Sequence, residues 1–123
     1  MAVIVKIKAF VETAICVDHL QAAEDFYRTI LGLSVLGKET GHHVFFQVGE
    51  ANLLLAFLSE ATLKGDQLPP HGSTGLGHFA LGIDAESFHS WRLRLQSHGV
   101  GIEKEVEWPR GGKSLYFRDP AGN

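Results

Sequence analysis

At 123 residues, 45% of them hydrophobic, the chain fits one soluble domain with a modest core. A net charge of −3 with acidic and basic residues interspersed excludes broad attraction to nucleic acid or an anionic membrane. The single Cys16 excludes an internal disulfide, no apolar run reaches the roughly 20 residues of a membrane span, and residues 1–8 lack the apolar stretch of a signal peptide, so the expected location is the cytoplasm.

Residues 9–17 read as a strand, because Phe10, Thr13, Ile15, Cys16 and Val17 are β-formers in a mostly apolar run. Asp18 or His19 then opens a helix. Asp18 with Gln21 three places on resembles a capping box, its carboxylate accepting from free amides of the first turn. Leu20, Ala23, Phe26, Tyr27, Ile30 and Leu31 recur at helical spacing as the apolar face, and Gly32 is a natural stop. Three short strands follow at 33–38, 42–48 and 52–58, separated by turns at Thr40-Gly41 and Gly49-Glu50-Ala51.

Residues 59–75 read as a polar linker with Gly65, Pro69, Pro70, Gly72 and Gly75. The same order of elements then returns. A strand at 78–83 leads to Asp84 as N-cap of a helix over 85–98, which buries Phe88, Trp91, Leu95 and with them Leu93, and stops at Gly99. Strands at 100–107 and 113–118 follow, and Asp119-Pro-Ala-Gly122 has the type I turn signature. In the overlay of the two halves Glu12 falls on His78, Asp18 on Asp84, Gly32 on Gly99, Phe46 on Phe117 and Asn52 on Asn123. After Asn52 the first copy continues into Leu53–Leu58, so a matching strand is expected beyond Asn123. A duplication of this size implies pseudo-twofold architecture, whose seam is a common ligand site.

Period-two alternation sorts the strand side chains. With Glu12 and His78 facing a cavity, Ala14, Cys16, Ala80 and Gly82 share it, while Thr13, Ile15, Val17, Phe79, Leu81 and Ile83 face the helices. In the same phase His43, Phe45, Gln47, Leu53, Leu55, Phe57, Tyr116 and Arg118 line the cavity. His42 and His43, being adjacent, are expected on opposite faces, which leaves His43 as a substrate contact and not half of a metal pair. His71 reads as a solvated linker residue or a lid contact, and His19, His89 and His98 as surface groups. Cys16 reads as a small buried hydrophobe. Arg118 either pairs with Asp119 or a C-terminal carboxylate, or clamps an anionic substrate. Trp108-Pro-Arg110-Gly-Gly112 is either a hairpin connection or a mouth loop that stacks a ligand. Gly111-Gly-Lys-Ser114 lacks the earlier glycine and following helix of a phosphate loop.

The β-α-β-β-β order used twice, with Val17-Asp-His-Leu20, Phe26-Tyr27, Leu31-Gly32-Leu33, Gly77-His-Phe-Ala-Leu81 and Tyr116-Phe-Arg-Asp-Pro-Ala-Gly-Asn123 at their spacings, resembles the vicinal oxygen chelate superfamily over residues 9–123. That group includes glyoxalase I, fosfomycin- and bleomycin-resistance proteins, methylmalonyl-CoA epimerase and extradiol dioxygenases. The resemblance implies an α+β fold in which two βαβββ modules, 9–58 and 76–123, joined by the linker 59–75 within one domain spanning 1–123, form a cupped, barrel-like mixed sheet with helices outside. The last strand is expected to be missing or truncated.

By the same resemblance the first-strand metal ligands are Glu12 and His78, the last ligand, a Glu three residues past the terminal Asn, lies beyond Asn123, and Leu55 at the matching place cannot bind metal. Carboxylate and imidazole suit Fe(II), Mn(II), Ni(II), Co(II) or Zn(II). Glu12 departs from the more usual His or Gln and favours harder metals. His78 otherwise reads as a strand-end histidine bonded to a carbonyl, and Glu12 as a solvated carboxylate. The leading expectation is a metal-dependent lyase, isomerase or dioxygenase acting on a small substrate with adjacent oxygens. In it Tyr116 and Arg118 act as catalytic groups, and His43, Phe45, Gln47, Leu53, Leu55, Phe57, Trp108 and Arg110 contact the substrate. The alternative is a metal-free module of the bleomycin-resistance type that sequesters a small molecule. Either form is expected to be a homodimer, because a lost last strand leaves an unpaired edge.

Overall fold

Strand β1, Glu12–Val17, runs parallel to β4, Asn52–Leu58, and the sheet continues antiparallel through β3, His43–Val48, to β2, Ser34–Glu39, in the order β1-β4-β3-β2. The computed structural model describes residues 6–64 and 69–123. Gly65 of the expected linker and the first five residues of the stretch read for a signal peptide lie outside them. A parallel β1–β4 pair needs a long crossover, and the helix supplies part of it. Alternation then gives the sheet one fully apolar face: Ile15, Val17, Val44, Phe46, Leu54 and Ala56 are all buried, with Phe46 0% exposed. Against them pack Ala23, Phe26 and Tyr27, and each large side chain so buried contributes about 1.5–3 kcal/mol.

The helix begins as α1, Leu20–Asp25, and widens into a π-helical turn over Phe26–Ile30. Its N-cap is His19, whose Nδ1 accepts from the Ala22 amide at 3.1 Å. The expected capping box of Asp18 and Gln21 is not formed: Asp18 stands one residue before the cap, and Gln21 Nε2 donates to Asp25 at 2.9 Å. His19 is therefore an exposed residue with a structural role. Gly32 ends the helix at φ +75°, where a β-carbon would be strained.

The 59–75 segment is not wholly irregular. Its first residues form α2, Ser59–Lys64, held by the buried Thr62, whose hydroxyl donates to Leu58 O at 3.1 Å and whose carbonyl accepts from His71 and Gly72.

Residues 78–83 are the main departure from expectation. They are not a hydrogen-bonded strand. In the first half β1 is a strand because β4 pairs with it; the described residues hold no equivalent partner for 78–83. Leu81 and Ile83, expected against a helix, stay 36% and 44% exposed, whereas Phe79 packs against the core. A 3₁₀ turn, Ala85–Ser87, leads into α3, Phe88–Ser97. Asp84 occupies the N-cap position but caps through its carbonyl, which accepts from the Ser87 amide and hydroxyl at 3.0 and 2.8 Å. Leu95 is the fully buried residue of α3, Phe88 and Trp91 are half-buried, and Leu93 is exposed. Strands β5, Ile102–Glu107, and β6, Lys113–Phe117, form an antiparallel hairpin separate from the four-stranded sheet, so the cup is not closed. No helix among the described residues is long and apolar enough to cross a membrane.

Polar contacts dock the second half on the first. Tyr27 donates its hydroxyl to Asp119 Oδ2 at 2.7 Å, a buried bond across 92 residues of sequence. Asp119 Oδ1 in turn accepts from the amides of Ala121 and Asn123, and Gly122 N donates to Asp119 O at 3.0 Å, which completes the expected turn. Arg94 of α3 donates to the free carbonyls of Ile30 and Thr29 at 2.7 and 3.0 Å, capping the end of the first helix.

Candidate functional site

Asn123 positions the segment that carries His78. Its Oδ1 accepts from Gly77 N at 2.9 Å and its Nδ2 donates to Cys16 O at 3.3 Å, fixing Gly77 beside the end of β1. Residues 79–82 then run back toward the start of β1. Between them lies a cleft of about 240 Å³ lined by Phe10, Glu12 and Thr13, by Val48 and Asn52–Leu54, and by Phe79–Gly82. Glu12 is thus on the wall of a seam between the two halves, with its carboxylate in an exposed residue. The lining run starts at Phe79, one residue past His78, which is exposed.

The opposite end of the sheet's other face is aromatic. His43 stacks on Phe45 with ring centroids 4.0 Å apart and planes 15° apart. Phe57 meets Phe45 edge-on at 5.5 Å and His71, arriving from the linker, at 4.7 Å. Leu55 and Phe57 are 7% and 9% exposed, while Phe45, Gln47 and Leu53 are half-buried on the same face. Gln47 turns its amide onto Gly49 O at 3.1 Å. Cys16 is half-buried, not fully enclosed as expected, and accepts a contact from the Ser73 hydroxyl at 3.6 Å.

At the edge of this aromatic patch the sequence reading of the two adjacent histidines fails. His42 belongs to the turn, since β3 starts only at His43, so strand alternation does not separate them. The two Nδ1 atoms are 2.8 Å apart, and Glu39 Oε2 lies 3.8 Å from His43 Nδ1. Glu39, His42 and His43 form the one three-residue cluster of metal-ligand type among the described residues, with their donor atoms within 4.8 Å of each other. Burial pushes the His43 pKa below the usual imidazole range; His42 beside it acts in the same direction, and Glu39 partly opposes both. A neutral imidazole is the form that binds metals.

The remaining expected site residues lie on the hairpin. Tyr116 is 44% exposed on β6, opposite Lys104. Arg118 Nε donates to both carboxylate oxygens of Glu103, at 3.1 and 3.2 Å, and its Nη1 to Gly122 O. It does not pair with Asp119, whose carboxylate is already held by Tyr27. Trp108 Nε1 donates to Ser114 Oγ at 2.9 Å across the connection, and Arg110 is exposed within it. None of these four lines the cleft of Glu12.

Residues 9–123 match the family model described as the Glyoxalase/Bleomycin resistance protein/Dioxygenase superfamily. Among solved structures, the lactoylglutathione lyase from Agrobacterium tumefaciens is 38% identical with a TM-score of 0.89, over 96% of this chain and 90% of that one. An integron cassette protein from the mobile metagenome of the Halifax Harbour sewage outfall is 24% identical with a TM-score of 0.77, over 94% and 93%. A glyoxalase/dioxygenase from Nostoc punctiforme is 24% identical with a TM-score of 0.69, over 98% and 93%. The last two likenesses concern the fold alone. A search of curated proteins finds no match.

Proposed function

Since the chain belongs to the glyoxalase/bleomycin resistance protein/dioxygenase superfamily, we propose that it is a metal-assisted enzyme acting on a small substrate with neighbouring oxygens. Its chemistry would be that of a lyase, like the lactoylglutathione lyase to which it is 38% identical. The observation that carries this reading is the cleft between β1 and residues 79–82, with the Glu12 carboxylate on its wall. Glu12 and His78 are the residues that would hold the ion. The donor types fit a divalent metal, and the exposure of both leaves them open to one; Leu55, buried and apolar at the corresponding place on β4, adds no donor. When bound, such an ion would polarise adjacent substrate oxygens as a Lewis acid.

The chain's own groups do the rest. Phe79 and Leu53 present apolar surface that excludes water from one side of the substrate. Glu12 is also the one carboxylate lining the cleft, and an oxygen of it not engaged by the ion could accept a proton from carbon next to a carbonyl. Phe10, Leu76, Leu81 and Ile83 are large apolar side chains left exposed, and they support a homodimer as the working form, which a monomeric mass by light scattering would refute.

Turnover of lactoylglutathione, measured with and without added divalent ions, tests the reading. Wild type should turn it over only with metal, and Glu12→Gln and His78→Ala should each lower kcat/KM by at least about 100-fold, in the range of losing a general acid–base group. Wild-type rates in both variants, or full activity in chelator, would refute it. The aromatic patch of His43, Phe45 and Phe57 favours a second reading, a metal-free module that sequesters an aromatic compound. Thermal stabilisation by such a compound in chelator, with no turnover, would select it.

A further inference from the structure

We propose that Glu39, His42 and His43 form a binding site for a divalent transition-metal ion of the zinc class, at the tip of the β2–β3 hairpin. The site is independent of the function proposed above. Leu53 lies opposite Glu12 and Phe57 opposite His43, so the two places are four residues apart along β4, roughly 13 Å at the rise of a strand.

The hairpin holds the three donors together before any ion arrives. Gly41 takes φ +78°, which lets the chain reverse tightly, and His42 N donates to Glu39 O at 3.0 Å. From the other side Leu58 N donates to His42 O at 2.8 Å, tying the turn residue to β4. The rings are braced as well as the backbone. His43 lies flat on Phe45, and both imidazoles meet Phe57 edge-on at 6.0 Å. Little rotamer freedom remains to be lost on binding, which favours affinity.

The separation of the donors suits coordination. Bonds of about 2.0–2.1 Å from nitrogen to zinc place neighbouring donors about 2.9 Å apart in octahedral and 3.4 Å in tetrahedral geometry. The Nδ1 atoms stand at 2.8 Å, so a small opening suffices. Glu39 has to close from 3.8 Å, and its side chain, 67% exposed, is free to rotate. Two imidazoles and a carboxylate match zinc, cobalt(II), nickel(II) and copper(II) better than calcium or magnesium, which prefer all-oxygen shells. In the present arrangement one ring carries its proton on Nδ1 and the other accepts it. Binding makes both rings Nε2–H tautomers, a proton shift within one ring and no net loss from the neutral pair. Three protein donors leave open positions for water or a ligand oxygen.

The test is calorimetric titration of the metal-stripped chain with Zn²⁺ alone near neutral pH, in wild type, Glu12→Gln/His78→Ala, His42→Asn/His43→Asn and Glu39→Gln. Wild type and the Glu12/His78 variant should share a site of the same affinity. Glu39→Gln should weaken that site at least about ten-fold, by the scale of disturbed metal ligation, and His42→Asn/His43→Asn should remove it. Long-range ¹H–¹⁵N spectra of the wild-type imidazoles give a readout that does not depend on how well the variants fold. Zinc should convert both His42 and His43 to the Nε2–H tautomer with displaced Nδ1 resonances. Absence of zinc uptake by wild type, uptake undiminished in His42→Asn/His43→Asn, or imidazole resonances of both rings unmoved at saturating zinc would each overturn the proposal. Loss of uptake confined to the Glu12/His78 variant would overturn it too, while leaving the function proposed above intact.

Discussion

Replacing Tyr27 by Phe isolates a buried bond between the two halves of the chain. The ring stays: it is 2% exposed and packs against Phe26, Phe46 and Phe79 at centroid distances of 5.2, 5.4 and 6.3 Å. What is lost is one hydroxyl donated at 2.7 Å to a carboxylate that is 7% exposed. Asp119 Oδ2 then keeps only the Asn123 amide at 3.2 Å. Hydrogen bonds to charged groups are worth about 1.5–3 kcal/mol, equivalent to a fall in Tm of roughly 6–12 °C for a chain of this length. Urea unfolding followed by the fluorescence of Trp91 and Trp108, both in the second half, reads the change directly. A double-mutant cycle with Asp119→Ala should return a coupling of at least about 1 kcal/mol. The same bond has a pH signature. Burial, then the hydrogen bond and charge of Asp119, raise the Tyr27 pKa far above the usual phenol value of 10.0. With the folded pKa above the unfolded one, the contribution is complete below about pH 10 and is lost above it, at up to about 1.4 kcal/mol per pH unit. Tyr27→Phe should lack that part of the alkaline loss, since Tyr116 is the one other tyrosine. A stability change under about 0.5 kcal/mol with an unaltered alkaline limb would refute the argument.

Phe46→Ala removes a side chain that is 0% exposed at the centre of the sheet–helix interface, so it should cost about 3–5 kcal/mol in denaturant unfolding. His43 should titrate below the ordinary imidazole range in NMR, because burial and the neighbouring His42 disfavour its charged form. Here the folded pKa is the lower one, so its contribution to stability is present above about pH 6.5 and is lost as the pH falls below that value. His42→Asn should raise the His43 midpoint; a fall would contradict the assigned cause.

Elements whose signals are local were legible in the chain. The apolar face of the first helix was readable from its 3.6-residue spacing, because Ala23, Phe26 and Tyr27 bury wherever that face finds a sheet. The three strands through Leu58, the glycine stop at Gly32 and the turn at Asp119 likewise follow from side-chain alternation and turn chemistry within a few residues. Membership of the family was also readable, because the order and spacing of those fragments repeat across the chain. For the start of the first helix the sequence left Asp18 and His19 open, and the capping box it suggested at Asp18 is not formed: an imidazole and a carboxylate both suit an N-cap, and only backbone dihedrals decide which residue stands there.

What tertiary structure alone decided is every pairing between distant groups. A segment with strand-like composition is a strand only when another backbone accepts its hydrogen bonds, and 78–83 has none among the described residues. Arg118 bonds Glu103 and not its neighbour Asp119, whose buried carboxylate accepts from Tyr27, 92 residues away, and from the amides of Ala121 and Asn123. His42 and His43 meet because the turn ends between them and breaks the alternation that separates neighbours within a strand. Sequence fixes which groups can bond or bury; which of them do so depends on distances that exist only after the chain has closed on itself.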